Sequence, residues 1–165
     1  MTSSELLELL KAKKYDEALQ NLDSCTDLSD VEKLKIKAYI ELQQNQKFSD
    51  EMYNELLSQP MIHLVLSRFY TTDLLSTLVI EIARRNDTKH KSMIDTILNI
   101  LKKANPESYV ITLNTLINEN LLDSTTLCDL ISKALSSISD ADISSSEIVR
   151  EGIQQLRMYQ EVSCQ

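Results

Sequence analysis

A single glycine, Gly152, in 165 residues is the strongest limit this sequence sets on its own fold. Tight β-hairpins draw on residues that accept positive φ, glycine above all. A chain with one glycine and two prolines has little material for the turns of a many-stranded sheet. Links between helices make no such demand. The periodic segments are filled by Leu, Glu, Lys, Gln and Ala, which are strong helix formers. Turn chemistry and propensity therefore agree on an all-α chain. At this length one domain, residues 1–165, buries roughly 70% of its unfolded surface and folds without staples.

Helix boundaries are written in the capping residues. Thr2-x-x-Glu5 and Ser29-x-x-Glu32 have capping-box spacing, which satisfies the orphan N–H groups of a first turn. After Thr2, an apolar face of Leu6, Leu7, Leu9 and Leu10 precedes the basic turn Lys11 to Lys14, and a second helix runs from about Asp16 to Ser24. A third carries Leu34, Ala38, Tyr39 and Leu42, and a fourth, with Met52, Leu56 and Leu57, stops before Pro60. Residues 61–83 are apolar on more than one face and read as the most buried pair. From Met93 the spacing of Ile94, Ile97, Leu98, Leu101 and Ala104 is that of an amphipathic helix. Asn105-Pro106 is a stop followed by a start. Tyr109, Leu113, Leu116 and Ile117 line the next helix, and Asp123 or Ser124 caps another. Ser136 to Ser146 is rich in serine and aspartate and reads as a long or mobile loop. Ser144-x-x-Glu147 opens a C-terminal helix over 144–162.

Tyr15-Asp16-Glu17-Ala18-Leu19 begins the second helix, and Phe48 stands 33 residues after Tyr15 in a similar setting. With a helix pair per unit, residues 3–60 resemble tetratricopeptide repeats, whose period is about 34. The second unit departs from the pattern, with Glu51 where the first has Ala18, and no further unit follows Pro60. The resemblance implies a right-handed helical-hairpin solenoid, tetratricopeptide-like at its start and armadillo- or HEAT-like over the central helices 61–143. The alternative is a compact orthogonal bundle; either way about nine or ten helices are expected.

Catalytic signatures are missing. One glycine excludes glycine-rich phosphate loops. His63 and His90 lie 27 residues apart without ligand-spaced partners; His63 reads as a packing residue and His90 as exposed. Cys25, Cys128 and Cys164 make an odd, widely spaced set with no metal or redox pattern. Cys25 and Cys128 read as small core residues, and all three as reduced thiols of a cytoplasmic or nuclear protein. The N-terminus shows no secretory leader, and no stretch is apolar enough for a membrane span. No enzyme, cofactor or metal is expected.

The formal charge is −8, which disfavours general nucleic-acid binding. It is uneven: residues 61–105 hold 7 basic and 4 acidic residues, net +3, between acidic ends. Arg84, Arg85, Lys89, Lys91, Lys102 and Lys103 form the basic concentration, and Tyr39 and Tyr70 are candidate interface anchors. The function these features favour is protein–protein interaction, as adaptor, assembly chaperone or small subunit of a complex, with a protein or acidic peptide segment as partner. A self-associating subunit, a homodimer burying the apolar 61–83 pair, is one alternative. An RNA-contacting subunit using residues 84–103 is the other.

Overall fold

The computed structural model describes residues 1–66 and 72–164. Among these, eleven α-helices and no strand are found. They gather into two compact units, Met1–Leu66 and Ser67–Gln165.

The first unit holds α1 (Ser3–Lys11), α2 (Tyr15–Leu22), α3 (Asp30–Asn45), α4 (Asp50–Ser58) and α5 (Ile62–Leu66). The Thr2 capping box forms: Thr2 Oγ1 accepts from the Glu5 amide and Glu5 returns the bond to the Thr2 amide. The Ser3 amide and hydroxyl both donate to Asp27, which ties the start of α1 to the link before α3. Leu6, Ala18, Leu22, Cys25 and Ile40 make the core, with Leu9, Leu10, Tyr15, Leu28, Ile36 and Tyr39 packed around it. Ala18 is wholly buried, the small side chain at the crossing of two short helices of 9 and 8 residues. Ile40 lies outside the stripe expected for α3. It faces the α1–α2 hairpin, while Leu34 and Ala38, on the other side of the helix, are also buried. Since α3 is covered on both sides, one amphipathic stripe does not describe it.

The second unit holds α6 (Thr72–Arg84), α7 (Met93–Ala104), α8 (Pro106–Asn118), α9 (Ser124–Ser137), α10 (Asp140–Ser145) and α11 (Glu147–Ser163). α8 is its centre and packs against α6, α7, α9 and α11. Its buried residues include Tyr109, Val110, Leu113 and Leu116, and also the polar Thr112 and Asn114. Both polar groups are satisfied. Thr112 bonds the Ser108 carbonyl and the Ser76 hydroxyl, each at 2.6 Å. Asn114 Nδ2 donates to the carbonyls of Val110 and Gly152.

These bonds also fix direction. Ser76 meets Thr112 and Arg84 meets Glu119, so α6 and α8 run parallel. Ser146 meets Glu107 and Gly152 meets Asn114, so α11 is parallel to α8. α6, α8 and α11 thus form one layer. α7 and α9 form a second, bridged by Lys133 Nζ to Asp95 Oδ1 at 3.4 Å. Alternate helices side by side are what stacked hairpins produce.

Two expectations are corrected here. The serine-rich stretch is not one long loop: α10 lies within it. Ser139 caps α10 by accepting from the Asp142 amide, so serine serves there as a helix start. Ser146, not Ser144, caps α11, accepting from the Val149 amide. Helix ends are closed by residues other than glycine. Lys13, Gln46, Asn86 and Asn120, each just past a helix, have φ between 50° and 61°, as does Met61 immediately before α5. At Lys13, Asn86 and Asn120 two amides turn back onto the final carbonyls of the helix, the Schellman pattern.

Candidate functional site

The basic residues of 84–103 are placed unlike a single patch. Glu81, whose side chain is 8% exposed, accepts from both arginines: Arg84 Nη1 to Oε1 and Arg85 Nε to Oε2, each at 3.0 Å. Arg84 also reaches Glu119 on α8 at 2.9 Å. The arginines are therefore engaged in clamping α6 to itself and to α8. Lys89 and Lys91 lie before α7, whereas Lys102 and Lys103 occupy its last turn. Most of the 12-residue α7, about 18 Å long, lies between the two pairs. At the C-terminal end Lys102 and Lys103 complement the helix dipole.

His90 is not the exposed residue expected from its lysine neighbours. It is half-buried, with Nδ1 2.7 Å from Asp87 Oδ2. His63 is half-buried, as its apolar surroundings suggested. Tyr39 packs edge-on against Tyr15, ring centres 6.4 Å apart, at the rim of the first unit's core. Tyr70 lies outside the described residues. Tyr109 is buried against the α7 side, and burial, then the charge of Asp95, pushes its phenol up to about 12. Lys133 is held above its ordinary value by its bonds to Asp129 and Asp95.

The cysteines are also corrected. Cys25 is a buried free thiol, as expected. Cys128 is not a core residue, and neither it nor Cys164 is the reduced thiol expected: Cys128 is half-buried and disulfide-bonded to Cys164. A spacing of 36 residues carries no motif, and only the packing of α11 on α9 brings the two sulfurs together. Among the described residues no group of three or more His, Cys, Asp and Glu is arranged to hold a metal, and no helix is long and apolar enough to cross a membrane.

A different surface stands out. On α8, Thr112 meets α6, Val110 and Asn114 meet α11, and Tyr109, Leu113 and Leu116 are buried on a third side. By helical geometry Ile111 then points away from the second layer, and it is 51% exposed. On α11, Gly152 meets α8, while Ile153 and Leu156 turn towards α9. Ile148, at 47%, and Val162, at 78%, fall on the remaining side, beside Met158. The bond from Ser146 to Glu107 brings Ile148 level with the first turns of α8. The outward face of α8 and α11 thus carries Ile111 and Ile148 near one level, with Met158 and Val162 further along α11. No periodic signal marks Ile111 or Ile148, because each sits next to a core position in sequence: Ile111 beside Val110 and Thr112, Ile148 beside Val149.

Comparison with protein-family models, with curated proteins and with solved structures returned no match.

Proposed function

We propose that this chain is a non-enzymatic protein-binding module that receives a segment of another protein on the outward face of α6, α8 and α11. The observation that carries this reading is the exposure of Ile111 and Ile148 on a layer whose other face is fully packed. Exposed apolar groups lined up on parallel helices suit an amphipathic partner helix, which adds its own apolar stripe to such a surface. Adaptor, assembly chaperone and small complex subunit are all roles such a face serves. The tetratricopeptide likeness of the entry hairpin belongs to the same proposal, supported by the complete burial of Ala18 and weakened by the shortness of both helices.

The two alternatives find less support. Leu74, Leu75, Leu78, Val79 and Ile82 are fully buried in the second unit's own core, which leaves little of α6 for a homodimer. The arginines of 84–103 are engaged with Glu81 and Glu119.

The test is affinity capture with wild-type chain beside Ile111→Glu/Ile148→Glu. A protein retained in stoichiometric amount by the wild type and lost by the variant supports the reading. Capture that is indifferent to the substitution, or no stoichiometric partner at all, overturns it.

A further inference from the structure

α11 is held unevenly along its length. In its first half Val149, Gly152, Ile153 and Leu156 are buried. From Arg157 to Ser163 no side chain is buried, and Met158 and Val162 are open to solvent. Gln160 Nε2 reaches Ser132 Oγ on α9 at 3.4 Å, the long end of the hydrogen-bond range. The firm attachment is covalent. Cys164, at the C-cap of α11, is bonded to Cys128 in the second turn of α9, with Cα atoms 5.7 Å apart. Both cysteines are half-buried. Cys25 is fully buried, its thiol directed at the carbonyls of Thr2 and Asn21.

We infer that the Cys128–Cys164 pair is a redox-operated clasp on the last two turns of α11. Closed, it fixes residues 157–164 on α9. Open, it leaves them with few buried contacts, so they fray while the first half of the helix stays packed. The opening reaction is thiol–disulfide exchange with a small-molecule thiol. A thiolate attacks one cysteine sulfur, forming a mixed disulfide and releasing the other cysteine as thiolate. A second thiolate resolves the mixed disulfide, leaving two protein thiols and one small-molecule disulfide. Two electrons pass from the small thiols to the protein, and the two released thiolates take up protons. Closing is the reverse, with the small-molecule disulfide as oxidant.

The experiment equilibrates the protein in glutathione buffers of stepped reduced-to-oxidised ratio. Alkylation and intact mass then count the thiols, and amide hydrogen exchange is followed along α11. Cys128 and Cys164 are expected to gain and lose label together, with Cys25 unlabelled in the native state. On opening, exchange at 157–163 is expected to accelerate at least about tenfold relative to 149–156. Cys128→Ser/Cys164→Ser should show the open-state ratio in every buffer. Two thiols that stay free throughout, a bond that excess glutathione leaves intact, or an exchange ratio that ignores the bond each overturns the clasp. So does acceleration that spreads equally over all of α11.

Discussion

Gly152 offers the sharpest test of the packing described above. It lies within α11, where an alanine in its place would ordinarily strengthen the helix by about 1 kcal/mol. Here a Cβ would come 1.9 Å from Val110 Cγ1, 3.3 Å from Val110 Cβ and 3.2 Å from Asn114 Nδ2. Carbon atoms in contact prefer about 3.5–4.0 Å, so α8 and α11 must part or Val110 must turn. Valine in a helix is held to one rotamer in about nine cases of ten. Parting the helices loosens Val149, Ile153 and Leu156 and strains the bond from Asn114 to the Gly152 carbonyl. An overpacked methyl costs about 1–3 kcal/mol. With the helix gain of about 1 kcal/mol set against it, Gly152→Ala should destabilise by up to about 2 kcal/mol. Val110→Ala alone should cost about 2 kcal/mol for the lost methyls and the void. In the double variant the new methyl enters that void. The two effects should therefore fall short of additive by at least about 1 kcal/mol. Urea unfolding of the four proteins, followed by helical circular dichroism, measures this. Gly152→Ala above wild-type stability, or strict additivity, refutes the close approach of α8 and α11.

Glu81→Gln should lower stability by about 1–2 kcal/mol because two arginines share its buried carboxylate, whereas Glu119→Gln, on a half-exposed pair, should cost less than about 1 kcal/mol; urea midpoints compare them. Tyr109 ionises at about 12 in the folded chain against 10.0 in the open one, so the fold holds its proton more tightly. The stability from this is complete below pH 10 and lost as pH rises towards 12. Tyrosinate absorbance in alkali should show a late-titrating phenol that disappears in Tyr109→Phe. Asp27 is held below the usual carboxylate range, chiefly by the Ser3 hydroxyl and amide. Its contribution is present above the unfolded pKa and lost as pH falls through the folded one. Ser3→Ala should move Asp27 back towards its ordinary value in a carboxyl NMR titration, and an unmoved value refutes the assignment.

The helical class and most helix starts were legible in the sequence because they depend on neighbours three or four residues away. Thr2, Ser29, Asn105 and Asp123 cap where their spacing says they should. Ile94, Ile97, Leu98 and Leu101 are the buried face of α7, as periodicity gives. What was not legible depends on partners distant in the chain. Counting charges made residues 84–103 a basic patch, since nothing local shows that Glu119 comes to Arg84 across 35 residues. The disulfide spans 36 residues and is set by the packing of α11 on α9. α8 hides its role for another reason. A helix covered on several sides shows no single stripe, and nothing local marks the polar Thr112 and Asn114 as buried, since their partners Ser76 and Gly152 are far off in the chain. The open face is obscured likewise: Ile111 adjoins the buried Val110 and Thr112.

The left-handed helix ends have a further consequence for how the chain moves. A glycine at such a position is a swivel, able to leave its conformation for many others at small cost. Lys13, Gln46, Asn86 and Asn120 have fewer places to go, and at the first, third and fourth a pair of amides closes the helix. The joints of both units are stiff elbows. If the α6–α8–α11 face adjusts to a partner, the adjustment falls to small slides between helices, with the turns keeping their shape. In the sliding interface of α8 with α11, the amide of Asn114 shared between Val110 and Gly152 acts as the stop.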